Sequence, residues 1–337
     1  MSRYVSDQNK VVLLHESGTY ASTSGNGVWL GQVTDHALDD AENKLENRYL
    51  GTATRSFDLM EQGPRDATGT LTYHAQNFRI PFWAIGSTVD GSSGTNTFHN
   101  TTQINTNSWQ SGFTSGTGQI SAPISFTLED SKQAPGTGRN FVRTVTGVVP
   151  NTVTINAEQG EKVSVDVDYV GQTQTTSSGA STAITEDTIK PYMWSSASLT
   201  LGGSSIPTAK SIALEINNNI EGPHYLNGSR DIGTPFPLNR DYTLTITLDS
   251  NSTEQDFLYN EFFKSNGAFN GVLDFNQDVT ATGSQHTVFA MSGCKITTFD
   301  NPSANEGVNE STIEIRPQNV TGSEWTSTAS SVLFNPF

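Results

Sequence analysis

The residues from Ala209 to Asp249, AKSIALEINNNIEGPHYLNGSRDIGTPFPLNRDYTLTITLD, constrain the fold more than any other part of the chain. Ile212, Leu214 and Ile216 alternate with polar neighbours, as one buried face of a β-strand requires, and Leu244, Ile246 and Leu248 repeat the pattern against Thr243, Thr245 and Thr247. Between the two runs lies a long polar excursion. After them, EQDFLYNEFFKS spaces Leu258 with Phe262 and Tyr259 with Phe263 as on a short amphipathic helix. The unit is strand, long hairpin-like excursion, strand, short helix.

The unit occurs again half a chain length upstream. NKLENRYLGTATR lies over NNIEGPHYLNGSR at an offset of 175, matching Asn43 with Asn218, Leu45 with Ile220, Glu46 with Glu221 and Arg55 with Arg230. Tyr49-Leu50 and Tyr225-Leu226 recur one residue out of step, Thr70-Leu71-Thr72 answers Thr243-Leu244-Thr245 at 173, and FRIPFWAIG stands where the second helix stands. A period this long argues for one domain copied once and packed about a pseudo-symmetry axis. The expected organisation is an arm over 1–27, a first domain over 28–170 with a loop insertion at 87–118, a linker over 171–190, a second domain over 191–320 and a tail over 321–337.

Strands are expected from Val28 to about Leu38, Ser56 to Met60, Gly69 to Ala75, Ile120 to Glu129, Asn140 to Val149, Val153 to Glu158 and Lys162 to Val170, with a turn at GPRD and a helix from Pro81 to Ile85 closed by Gly86. In the last of these strands Val163, Val165 and Val167 face one way while Asp166 and Asp168 face the other. One face is core and the opposite one is acidic.

Composition narrows the function. Only 15% of the 337 residues are charged, and the net charge of −16 reflects scarce Lys and Arg. Gripping nucleic acid by its phosphates needs clustered cations, so that class is excluded. Cys294 is the single cysteine, which leaves no internal disulfide, and its alternating surroundings make it a small core residue. The amino terminus reads as no secretory signal, and no apolar run is long enough to span a membrane. The six histidines show no metal-ligand spacing, and P-loop, dinucleotide and nucleophile-elbow motifs are missing. Asp166 and Asp168, adjacent on one strand face, cannot flank a glycosidic bond from two sides. No catalytic, metal or cofactor site is expected.

IALEINNNIEG with its Gly- and Pro-bearing excursion, NRDYTLTITLD and the aromatic helix, together with RTVTGVVPNTVTINAEQGEKVSVDVDYVGQ and GTATRSFDLMEQGPRDATGTLTYHAQNFRIPFWAIGS, resembles the tail tube proteins of long-tailed phages and related tailed viruses. The resemblance implies a mainly β fold of duplicated β-sandwich or barrel domains, each with a short α-helix and a long β-hairpin. It also implies a structural virion protein that closes into stacked rings around a conduit for viral DNA. Its partners are then further copies of itself, the tape measure protein, the tail terminator, baseplate or hub proteins and passing DNA. It is assembled in the host cytoplasm and ends in the virion tail. If both halves line the pore, the ring is a trimer with pseudo-sixfold symmetry; if one half does, it is a hexamer.

On this reading the acidic residues that line the lumen are Asp166, Asp168, Glu215, Asp249 and Asp274, and the excursions that reach other subunits or rings carry Asp39, Asp40, Glu46, Arg55, Glu221 and Arg230. The same positions fit an ordinary solvated outer face, because periodicity does not say which side of a strand meets a pore. The alternatives are a receptor-binding or decoration protein holding glycans on the 87–118 loop, and a β-sandwich glycosidase.

Overall fold

The computed structural model describes residues 9–16, 20–47, 59–86, 89–93, 96–100, 125–133, 140–184, 190–249, 256–277, 285–301 and 309–326. The chain is mainly β. In order, its strands are β1 (Lys10–Glu16), β2 (Thr23–Val28), β3 (Gly31–Asn47), β4 (Leu59–Ala75), β5 (Val89–Ser93), β6 (Asn96–Asn100), β7 (Phe126–Gln133), β8 (Asn140–Glu158), β9 (Ser164–Gly171) and β10 (Thr173–Ser177). There follow β11 (Ala197–Leu201), β12 (Ser204–Ser205), β13 (Ala209–Asn217), β14 (Ile220–Glu221), β15 (Phe236–Pro237), β16 (Asp241–Asp249), β17 (Phe269–Gln277), β18 (Gln285–Asp300), β19 (Glu310–Arg316) and β20 (Asn319–Thr326). Helix α1 (Arg79–Ile85) follows β4, and a π-helical segment, Phe257–Phe263, follows β16.

One order of antiparallel pairings runs twice. A hairpin, β3–β4 or β13–β16, is followed by a helical segment and then by a strand, β7 or β17, paired to a long strand, β8 or β18. Each long strand begins in an outer sheet and ends in an inner one: β8 leaves β7 and β10 to pair with β9, and β18 leaves β17 and β20 to pair with β19. The strands β9 and β19 in turn lie against β4 and β16. The two inner sheets join where β8 pairs with β13, from Thr152↔Asn217 to Glu158↔Ser211. The result is one eight-stranded antiparallel sheet, in the order β3-β4-β9-β8-β13-β16-β19-β18.

Several local expectations change. Gly63-Pro64-Arg65-Asp66 makes no turn but continues β4, with Gly63 and Pro64 together opposite Asn43 in a bulge that absorbs the extra residue. Pro150 sits within β8 at its bulge, where the strand changes sheets and one missing donor disturbs the ladder least. Within the expected linker, Thr173–Ser177 pairs with β8 as a strand. Within the expected loop insertion, β5 and β6 form a hairpin that extends the edge of β20. The second helix is wound with i to i+5 spacing: Lys264 N–H donates to the Tyr259 carbonyl, and Phe257 meets Phe262 edge-on at 5.1 Å.

Both halves feed a single core. Phe78, Phe82 and Trp83 are buried around α1; Phe82 packs at 5.5 Å on Phe289 of β18 and Trp83 at 5.4 Å on Phe126 of β7, so one helix touches both outer sheets. Phe78 lies 4.9 Å from Phe275 and 5.2 Å from Tyr192. Cys294 belongs to the same core, and burial pushes its thiol up to about 11. Asn218, wholly buried, staples the seam: its Nδ2 donates to the carbonyls of Ala84 and Pro150, and its Oδ1 accepts from Arg240 Nε at 2.6 Å. Arg240 also caps the end of α1 by donating to the Ile85 carbonyl.

A polar cluster fixes β3 to the outer sheet. Arg143 of β8 donates to Asp130 of β7, His36 Nδ1 of β3 stands 3.7 Å from the same carboxylate, and His36 Nε2 lies 2.9 Å from the Tyr169 hydroxyl. Burial pushes the Asp130 pKa up, but His36 and Arg143 more than reverse this and hold it below the ordinary carboxylate range. A carboxylate whose pKa falls on folding stabilises the fold above its unfolded value of about 4, and that stability is lost as pH falls through the folded value. Unfolding by urea is therefore expected to show a gap between wild type and Asp130→Asn that closes as pH falls below about 4. A gap that persists or widens below that pH contradicts the assignment.

Candidate functional site

The two faces of the eight-stranded sheet differ completely. On one, Tyr73, Val165, Ile155, Leu214, Leu244 and Ile315 form a buried row across β4, β9, β8, β13, β16 and β19. On the other, pairing sets Asp35, Thr72, Asp166, Thr154, Glu215 and Thr243 side by side, and beside them Ala37, Thr70, Asp168, Thr152, Asn217 and Asp241. Strict alternation produces this split, since a strand whose odd positions are apolar must send its even positions the other way.

Of the residues singled out in the sequence, Asp166, Asp168, Glu215 and Asp249 share this polar face. Asp166 accepts from Thr72 Oγ1 and Asn156 Nδ2, each at 2.7 Å, so hydroxyl and amide groups orient its charge. Asp249 is opposite Glu310, and Lys210 bridges the two at 2.6 and 2.7 Å. The hydrogen bonds to those carboxylates, Asp249 foremost, raise the Lys210 pKa. Arg316 is likewise tied, 3.3 Å from Glu314. The face thus presents carboxylates, hydroxyls and amides, and these two of its cations are already paired.

Asp274 stands apart, on β17 of an outer sheet, where it contacts His286. Asp35, Asp241 and Glu314 belong to the face and were not singled out. Asp241 has the parity of Asp249 within DYTLTITLD, which is the signal that could have found it.

On the excursions, Asp39 is exposed on β3 opposite Thr68, Asp40 pairs through its backbone with Ala67, and Glu46 is exposed opposite Met60. Glu221 pairs with Phe236. Arg230 holds the two excursions of one chain together, donating to the Gly63 carbonyl at 2.9 Å and to Gln62 at 2.7 Å. Arg55 lies outside the described residues. Among the described residues no group of three or more His, Cys, Asp or Glu could hold a metal, and no helix is long and apolar enough to cross a membrane.

The sheet has two open edges. Among the described residues β3 pairs only with β4, and the Lys295–Asp300 part of β18 pairs only with β19. In the first half the corresponding end of β8 is covered by β13. Long unpaired edges offer their backbone donors and acceptors to another chain.

A β-rich sheet with two edges unpaired among the described residues and a charged face is a scaffold that further chains can extend. The chain is a member of the phage tail tube protein family, whose model matches residues 11–296. It is accordingly a structural, non-enzymatic component of a viral tail, assembling there with copies of itself. No curated protein matches the chain.

Proposed function

We propose that three copies close edge to edge into a ring, β18 of each chain pairing with β3 of the next, and that stacked rings form the tube through which viral DNA passes. The observation that carries this reading is that each half supplies four strands to one sheet whose outer edges are free. Each half then acts as a tube domain, and the ring has pseudo-sixfold symmetry. Strands about 4.8 Å apart and tilted about 40° close to a backbone diameter of about 16 Å for eight strands and about 48 Å for three times that number. The first leaves no room for a duplex; the second does.

The buried face of the sheet is covered by the outer layers, so the polar face is the one left to line the lumen. Carboxylates and hydroxyls there repel phosphate and keep a water film against it. Membership of the family supports the further partners: a tape measure protein within the tube while it grows in the host cytoplasm, and terminator and baseplate proteins at its ends.

The internal seam predicts the register of the external one. Thr154 pairs with Asp166 and with Glu215; Thr298 is the equivalent of Thr154 through Glu314, and Ala37 the equivalent of Glu215 through Thr70. The double variant Ala37→Cys/Thr298→Cys is expected to cross-link on mild oxidation into covalent rings of three chains, read by mass. Ala37→Cys/Phe299→Cys is expected not to, because a one-residue slip points the thiols to opposite faces. Cys294 is buried and its thiol weakly acidic, so it adds no background. Covalent hexamers, or no cross-link in assembled protein, would refute the trimer.

A further inference from the structure

The excursion between β13 and β16 presents a side chain that the chain itself does not use. Leu226 is fully exposed and Tyr225 is 55% exposed. Their backbone is nonetheless held firmly. Besides the Arg230 contacts to Gly63 and Gln62, Arg65 N–H donates to the Arg230 carbonyl, and His224 Nε2 lies 3.0 Å from Asp66. Gly233 N–H donates to the Pro223 carbonyl, and the Tyr225 ring rests on Gly233, where a Cβ would come within 2.3 Å of it. The loop is thus braced on β4 with its apolar tip turned to solvent.

At the other end of β13 the two layers part. A cleft of about 350 Å³ opens there between the inner sheet and the outer one, lined by Ala157, Trp194, Leu199, Ile206, Pro207 and Ile212. Trp194 is 41% exposed at its mouth. The strand between cleft and tip spans about 30 Å at the usual rise per residue.

We propose that Leu226, supported by Tyr225, seats in this cleft on a copy of the chain in the next ring, and so sets how rings stack. The inference rests on the ring reading above. Tip and cleft lie at opposite ends of β13, so a chain cannot fill its own cleft, and the contact is head-to-tail. A heterologous contact of this kind repeats without closing, which is the geometry that the self-assembly of a tail tube protein requires. The pair recurs in the sequence as Tyr49-Leu50 on the first excursion, which lies outside the described residues. A small apolar anchor entering a pocket is also how a few residues come to dominate an interface.

The test uses the full chain and two variants at exposed positions: Leu226→Asp at the tip, and Ser205→Trp, which plugs the cleft from a surface turn. Each alone is expected to form rings but to need at least about tenfold more protein to form tubes, by sedimentation and negative-stain microscopy. Mixed together, they are expected to give ring pairs that grow no further, since only the intact tips of one meet the intact clefts of the other. Tubes of Leu226→Asp at wild-type concentrations overturn the contact, as does the case in which only Ser205→Trp fails, which would put another segment, such as 327–337, in the cleft. Wild-type protein that forms neither rings nor tubes overturns the ring reading and this contact with it.

Discussion

Tubes assembled from a chain carrying lysine at Asp166, Asp168 and Glu215 are expected to hold linear duplex DNA that wild-type tubes leave free. Asp166 and Asp168 lie on β9 and Glu215 on β13, on the same face with β8 between them, so the substitutions create a band of ammonium groups that the proposed ring would repeat around its lumen. With about six to ten phosphates neutralised, affinity should fall by roughly 10³ to 10⁵ between about 50 and 200 mM salt, which fluorescence anisotropy of a labelled duplex would follow. Closed circular DNA has no end to thread and is expected to stay free of the same tubes. If circles bind as well as linear duplexes do, the face lies on the outside of the tube, and the lumen assignment is lost.

The second large effect is expected at Asn218. Truncation to Ala leaves the buried carbonyls of Ala84 and Pro150 without this donor and takes from Arg240 Nε the acceptor that Asn218 supplies. Each buried group left unpaired costs about 1–3 kcal/mol, so a loss of about 2–4 kcal/mol is expected in urea unfolding of dilute, unassembled protein. Asn218→Asp should be similarly costly, since it keeps the acceptor for Arg240 but faces two carbonyls with a carboxylate. Stability within 0.5 kcal/mol of wild type for either variant, a margin typical of about any surface change, would show that the seam does not depend on this residue.

Much of the fold was legible because one rule governs it. Val163, Val165 and Val167, or Leu244, Ile246 and Leu248, alternate so regularly that strand, buried face and acidic face follow together. The rule is silent about which sheet a strand joins. Asp274 alternates with Leu273 and Phe275 much as Asp166 does with Val165 and Val167, yet lies in the outer layer, because sheet membership is decided by partners distant in sequence. Local turn chemistry misled for a related reason: Gly63-Pro64 and Pro150 punctuate an isolated chain, but ladders on their flanks and a bulge at each site carry the strand through. The role of Arg230 was hidden in the same way, since Gly63 is 167 positions away.

The fused seam between β8 and β13 has a kinetic consequence. When two half-units share one polypeptide, their meeting is a folding event, and its effective concentration does not fall on dilution. Only the joints between chains depend on how much protein the cell has made. In the proposed ring of three chains, three joints are left to chance encounter where six separate half-units would leave six, so small, incomplete arcs become rarer at low protein concentration.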